Sequence, residues 1–320
     1  MKRWLSITKE SAFGTASVTP ADKIWVFLSG ANSFKHMTTP QYWSLMTGMG
    51  YAVPWASGCE TIGVGASLSV PLTATQAPFL LPWAFQRIAA GSVPWATTEP
   101  AGDLASCRLE YFWTTFDGVV KSKAWTGCKV ASATLGGSDQ DRAPLSLQLQ
   151  LIGSTPQGNP YDESSDPAVA QPLPTVYPKD YLLFQHLRGG LSIGAVGVRT
   201  NWKSFSVELQ NRLTPYFDEY RYANAIRLGG RAATLKSRLR LKNTTDDRAV
   251  WESGGVMAAS AELNDGSKKI KFDFRSQNVV DSMGEDFPED GEVYYDLAIK
   301  NQFDPAATAG DFALSISDVE

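Results

Sequence analysis

Histidine and cysteine are scarce in this 320-residue chain, which has two of the first and three of the second. His36 and His186 fall in different halves, each without a Cys, Asp or Glu neighbour at ligand spacing, so neither a zinc site nor a histidine-based catalytic set is indicated. Cys59, Cys107 and Cys128 are an odd set with no close spacing. That argues against a disulfide framework and points to reduced core residues in a cytosol-like compartment. No apolar run approaches bilayer length, and the charges of Lys2 and Arg3 have no apolar segment behind them, so neither a membrane span nor a signal peptide is expected. A basic excess is missing too: 29 Lys and Arg stand against 33 Asp and Glu, a net charge of −4. Such a chain is not a general nucleic-acid binder, and any contact with DNA is expected to be non-adhesive. Gly63 and Gly65 sit inside an alternating pattern with no helix opening after them, which excludes a phosphate loop. No cofactor, no metal and no catalytic constellation is expected.

What the chain does have is period-two alternation. Residues 102–153 read as an antiparallel meander. Leu109, Tyr111 and Trp113 alternate with Arg108, Glu110 and Phe112; Asp117-Gly118 supplies a two-residue hairpin turn; Val119 to Trp125 returns; and Gly127 breaks the run before Cys128 to Leu135. Leu145, Leu147, Leu149 and Leu151 then share one face, at roughly 2 kcal/mol each when buried. Ser146, Gln148 and Gln150 make the opposite face, which is polar and uncharged. A slip of one residue would put all the leucines in water, so the register is specified.

Around the meander, Ile24 to Leu28 predicts a buried strand, and Thr39 as N-cap with Pro40 behind it predicts a short helix through Tyr42, Trp43, Leu45 and Met46 to Gly48. Thr61 to Thr73 reads as a long, bent strand, and residues 76–90 as one core-covering helix kinked or delayed by Pro82. Residues 155–178 are rich in Pro, Ser, Asp and Gly without a usable period, as in a linker or long surface loop. Alternation resumes over Leu191 to Val198, Phe205 to Leu209 and Leu235 to Leu241, the last with Lys236, Arg238 and Arg240 on its polar side. Residues 244–247 predict the cap of a helix over Arg248 to Ala259. Strands follow over Ile270 to Arg275, Val293 to Ile299 and Phe312 to Ile316. The acidic loop 284–292 lies among them; its Glu285, Asp286, Glu289, Asp290 and Glu292 lack the ligand ladder of a calcium loop and read as solvated. Strands, one helix and a closing meander thus occur twice, over 66–151 and 235–316, which predicts an internal duplication. The expected chain is mainly β: two tandem antiparallel domains, 1–154 and 181–320, each with one helix, joined by 155–180.

Three features together resemble one family, the tail tube proteins of long-tailed bacteriophages. The opening segment 5–16 (LSITKESAFGTA) resembles the family's N-terminal segment. The Asp117-Gly118 hairpin, the run from Gly127 to Leu135 and the alternating strand ending at Gly153 resemble the closing meander of a tube domain. Ser204 to Asn211 and the strands after it are similar to the second half of the longer members.

The resemblance implies β-sandwich or half-barrel domains flanked by a helix, and a structural virion protein, not an enzyme. Many copies would form stacked rings, six chains per ring or three two-domain chains imitating six, assembled in the host cytoplasm. Implied partners are further copies of the chain, the tape measure protein and the tail terminator protein, with double-stranded DNA passing through the bore without specific binding and no membrane. On this reading Ser146, Gln148, Gln150, Glu285, Asp286, Glu289, Asp290 and Glu292 lie on the bore or ring rims, and Trp4, Ile7 and Phe13 on an arm between rings. A mildly acidic wall would repel DNA phosphates. The competing reading is a β-sandwich carbohydrate- or receptor-binding module of a phage tail, with Trp55, Trp95 and Trp113 as stacking surfaces.

Overall fold

In the computed structural model, which describes residues 3–16, 23–28, 33–46, 52–85, 88–90, 95–98, 104–114, 116–118, 120–139, 143–154, 174, 179–187, 189–193, 198–217, 223–240, 252–264, 266, 268–286, 292–301 and 312–318, the alternating segments are strands. The first half contains β1 (Arg3–Ala12), β2 (Thr15–Ala16), β3 (Lys23–Phe27), β4 (Ser33–Met46), β5 (Ala52–Pro71), helix α1 (Ala77–Ala84), β6 (Ile88–Ala90), β7 (Trp95–Thr98), β8 (Cys107–Thr114), β9 (Val120–Ser138) and β10 (Ser146–Ser154). The second contains β11 (Gly190–Ile193), β12 (Val198–Arg199), β13 (Trp202–Tyr216), β14 (Ala225–Arg240), β15 (Met257–Asn264), β16 (Lys268–Asp286), β17 (Tyr294–Asn301) and β18 (Phe312–Asp318). The chain is mainly β and every pairing among these strands is antiparallel.

The pairing order repeats. In the first half, neighbours run β3, β1, β8, β9, β10, β5, β4. In the second they run β12, β11, β15, β16, β17, β14, β13. These strands also follow one another in the same chain order, from β1 to β10 and from β11 to β17; β18, which holds the Ile316 end of the expected second repeat, has no counterpart in this order. The two halves are joined edge to edge by β9 and β13, from Ser138↔Ser204 to Ser132↔Gln210. A second link pairs β18 with β7.

Local chemistry explains where the expectations and the strands differ. Cys128 to Leu135 and Val119 to Trp125 read as separate strands by pattern; they are one strand, β9, which pairs with β8 from Val120 to Cys128, with β10 from Thr126 to Gly136 and with β13 from Ser132 to Ser138. Gly127 has φ +66° and makes the bend without ending the strand. The Asp117-Gly118 turn is longer than two residues, because Thr114 pairs with Val120 and the connection spans 115–119. The helix expected after Thr39 is strand β4, which pairs with β5 along its whole length. Pro40 is tolerated there because the register shifts at Thr39 and Pro40. The helix expected over 76–90 is real but stops at Ala84 with Pro82 inside it, and Ile88 already belongs to β6. Of the helix expected over Arg248 to Ala259, Met257 and Ala259 lie in β15, only Glu252 and Ser253 are helical, and 241–251 lie outside the described residues.

One core runs under both halves. Leu147, Leu149 and Leu151 of β10 join Leu68 and Val70 of β5, Val207 and Leu209 of β13, and Leu297 and Ile299 of β17, all buried. The aromatic pair Phe85 and Phe272, at 5.1 Å between ring centroids, crosses from one half to the other. At about 1.5–3 kcal/mol per fully buried aliphatic or aromatic side chain, this shared layer dominates the adhesion of the halves. Most of the linker expected at 155–180 lies outside the described residues.

Candidate functional surface

Antiparallel pairing places directly opposed residues on one face of a sheet, so the outer face opposite the core can be read across the strands. One row runs Ser69, Gln148, Thr134, Glu208, Thr234, Lys300. Another runs Ser67, Gln150, Ser132, Gln210. A third runs Gly136, Ser206, Lys236, Ala298, Ser282, with Ser146 beside Gly136, and a fourth Ser138, Ser204, Arg238, Asp296, Gly284. The face is therefore continuous through the β9–β13 joint. In these rows the residues of the first half are uncharged, and those of the second include Glu208, Lys236, Arg238, Asp296 and Lys300.

Ser146, Gln148 and Gln150 lie in this face; the glutamines are exposed and Ser146 is half-buried. Gln150 donates from Nε2 to Ser67 Oγ at 3.1 Å across β10 and β5. The acidic candidates divide. Glu285 and Asp286 belong to the end of β16 rather than to a loop, Glu292 lies just before β17, and Glu289 and Asp290 lie outside the described residues. Their setting is not a bare anionic wall. Arg238 of β14 meets both Asp286 and Asp296, the latter at 3.5 Å, and Arg240 meets Glu292, which also accepts from the Tyr294 hydroxyl. Lys236 reaches Glu208 at 3.4 Å, and Gln210 donates to the same carboxylate at 2.8 Å. The Arg238 guanidinium is held above its usual pKa, first by its hydrogen bond to Asp286 and then by the nearby Asp296 charge. Exposed pairs of this kind are each worth about 0–1 kcal/mol, so they set the charge pattern of the face more than its stability.

Trp4 and Ile7, expected on a projecting arm, are at 1% and 0% exposure in β1, between β3 and β8. The arm is a strand of the chain's own sheet, with Ile7 facing the shared core. The other face of β1 carries Ser6 and Thr8 beside a buried ion pair, Lys23 to Glu110 at 3.1 Å, which Ser122 supports by donating to Glu110 Oε1 at 3.0 Å. Phe13 is half-buried and packs on Gly127, where an added Cβ would lie 2.7 Å from its ring. Glu10 accepts hydrogen bonds from the backbone N–H of Gly14 at 3.0 Å and of Gly127 at 2.9 Å, and from Ser106 Oγ at 2.5 Å. The segment 5–16 thus clamps the bend of β9. No period in the sequence marks Glu10 for this; the spacing of Glu10 to Gly14 is its only local signal.

Trp113 of β8 stacks on Tyr111 with centroids 5.7 Å apart, whereas Trp95 lies in β7 and Trp55 in β5. Among the described residues no three His, Cys, Asp or Glu side chains converge as metal ligands, and no helix is long and apolar enough to cross a membrane. A family model described as phage tail tube protein matches residues 5–311, nearly the whole chain. No curated protein matches it.

Proposed function

Since this chain belongs to the phage tail tube protein family and is a structural component of the phage tail, we propose that copies of it close into rings whose polar sheet faces line a bore for the genome. The observation that carries this reading is the unbroken outer face, polar from Ser69 in β5 to Lys300 in β17, backed by one apolar layer. A curved sheet with a packed side and a wetted side suits a hollow wall. Ser, Thr and Gln offer no net charge to phosphate. Arg238 and Arg240 of β14 are matched by carboxylates, so they offer DNA little free positive charge to hold.

In this reading each half of the chain, 1–154 and 181–320, supplies one tube unit, so three chains would imitate a ring of six. The rings stack in the host cytoplasm around the tape measure protein and end at the tail terminator protein. Negative-stain microscopy of the purified chain tests the proposal: hollow rings or tubes that grow with concentration are expected. A discrete globular oligomer that retains glycans on a sugar array would instead support the carbohydrate-binding reading.

A further inference from the structure

We propose that the joint inside the chain is repeated between chains: the C-terminal half of β16 in one copy pairs antiparallel with β4 of the next. The inference rests on the tube reading and goes beyond it by naming the two edges and their register. Because the pairing order repeats, β9 corresponds to β16 and β13 corresponds to β4. Within the chain β9 meets β13. Among the described residues, β16 from Val279 to Asp286 pairs only with β17, and β4 pairs only with β5. Among the described residues each copy therefore offers one open edge of each kind. Such a contact is heterologous, and it closes into a ring when its rotation permits.

Charge agrees with this match. Residues 279–286 hold Asp281, Glu285 and Asp286 and no Lys or Arg, while β4 holds Lys35 and His36 and no Asp or Glu. Two copies of β16, or two of β4, would set like charges together.

The register follows from the repeat. Leu147 pairs with Val70 and Leu135 in one half, as Tyr295 pairs with Leu239 and Glu285 in the other. Stepping along β5 and β14 from these positions aligns Ala66, which pairs with Phe34, with Leu235, which pairs with Val207. Val207 meets Leu135 at the internal joint. Phe34 of one copy then stands opposite Glu285 of the next, Lys35 opposite Gly284, and Ser33, two residues from Lys35, opposite Asp286.

The test is a cysteine pair, Lys35→Cys with Gly284→Cys, in a Cys59→Ser background, oxidised by dissolved oxygen with a copper catalyst. Gly284 suits it, since an added Cβ there meets nothing within 4 Å. The double variant should give a ladder of covalent oligomers that extends past the dimer on a non-reducing gel, and neither single variant should. Tubes in the micrographs with no ladder would overturn the pairing while leaving the tube reading intact. Dimers from Lys35→Cys alone would show β4 facing β4 and would also overturn it. With neither tubes nor ladder, both readings fall; a ladder from soluble rings without tubes upholds the pairing on its own.

Discussion

The Lys129 ammonium donates to the carbonyl of Ile226 at 2.7 Å, although 97 residues separate them. Lys129 lies just past the bend of β9, where that strand leaves β13, and its side chain is 1% exposed. Asn211 does the same for the carbonyl of Val130, at 2.9 Å. Where the β9–β13 ladder ends, side chains thus replace the missing strand partners. The Phe13 ring lies 5.3 Å from the Lys129 nitrogen, so the N-terminal segment, the bend and the second half meet at one point.

Lys129→Met keeps the length of the side chain and removes the donor. It should cost about 1–3 kcal/mol, the penalty for a buried acceptor left unsatisfied. Thermal unfolding followed by circular dichroism measures this, and Asn211→Ala, which leaves the buried Val130 carbonyl without its donor, should likewise cost about 1–3 kcal/mol.

Gly127→Ala and Gly118→Ala separate two costs. Both glycines have positive φ, +66° and +82°, so each substitution pays the left-handed backbone penalty of about 1–2 kcal/mol. Only at Gly127 does a Cβ also press into Phe13, at 2.7 Å, while at Gly118 it meets nothing within 4 Å. Gly127→Ala should therefore be clearly the more destabilising in a denaturant melt. Combining it with Phe13→Ala should recover part of the difference.

Glu10→Gln should destabilise by about 1.5–3 kcal/mol, because one carboxylate oxygen that accepted a backbone N–H becomes an amide donor facing it. Equal urea midpoints for the variant and the parent would remove the clamp described for this residue.

Burial pushes the Cys107 and Cys128 thiols up, with the Glu10 carboxylate adding to it. The folded state thus holds these protons to higher pH than the unfolded state does. Linkage then makes stability level below the ordinary thiol value of 9.0 and lets it fall as pH rises above that value. Replacing both cysteines with Ala should flatten the alkaline arm of a plot of stability against pH. In the parent protein at neutral pH, both thiols should stay unreactive toward a disulfide reagent until urea unfolds the chain.

Much of this was readable from residues that are close together in sequence. Leu147, Leu149 and Leu151, like Phe272 and Phe274, alternate with polar neighbours, and strand pleating alone then sorts them onto the core face. The mainly β character, the duplicated order and the polar face at Ser146, Gln148 and Gln150 follow from that local period. Other features depend on contacts that no short window contains. Tyr42 to Met46 carry a helix-like start after Thr39 and Pro40, yet β5 supplies a full ladder of backbone partners that a lone helical turn cannot match. The family resemblance placed Trp4 and Ile7 on an arm between rings; β3 and β8 flank both residues, and both are buried. Arg238 could be assigned to a polar face by alternation, but its match to Asp286, 48 residues away, comes from β17 lying between β14 and β16. Period is a property of neighbours along the chain and sets which side of a strand is wet; the choice of partner strand, and so of charge partner and bend, is settled only when distant segments compete for the same backbone hydrogen bonds.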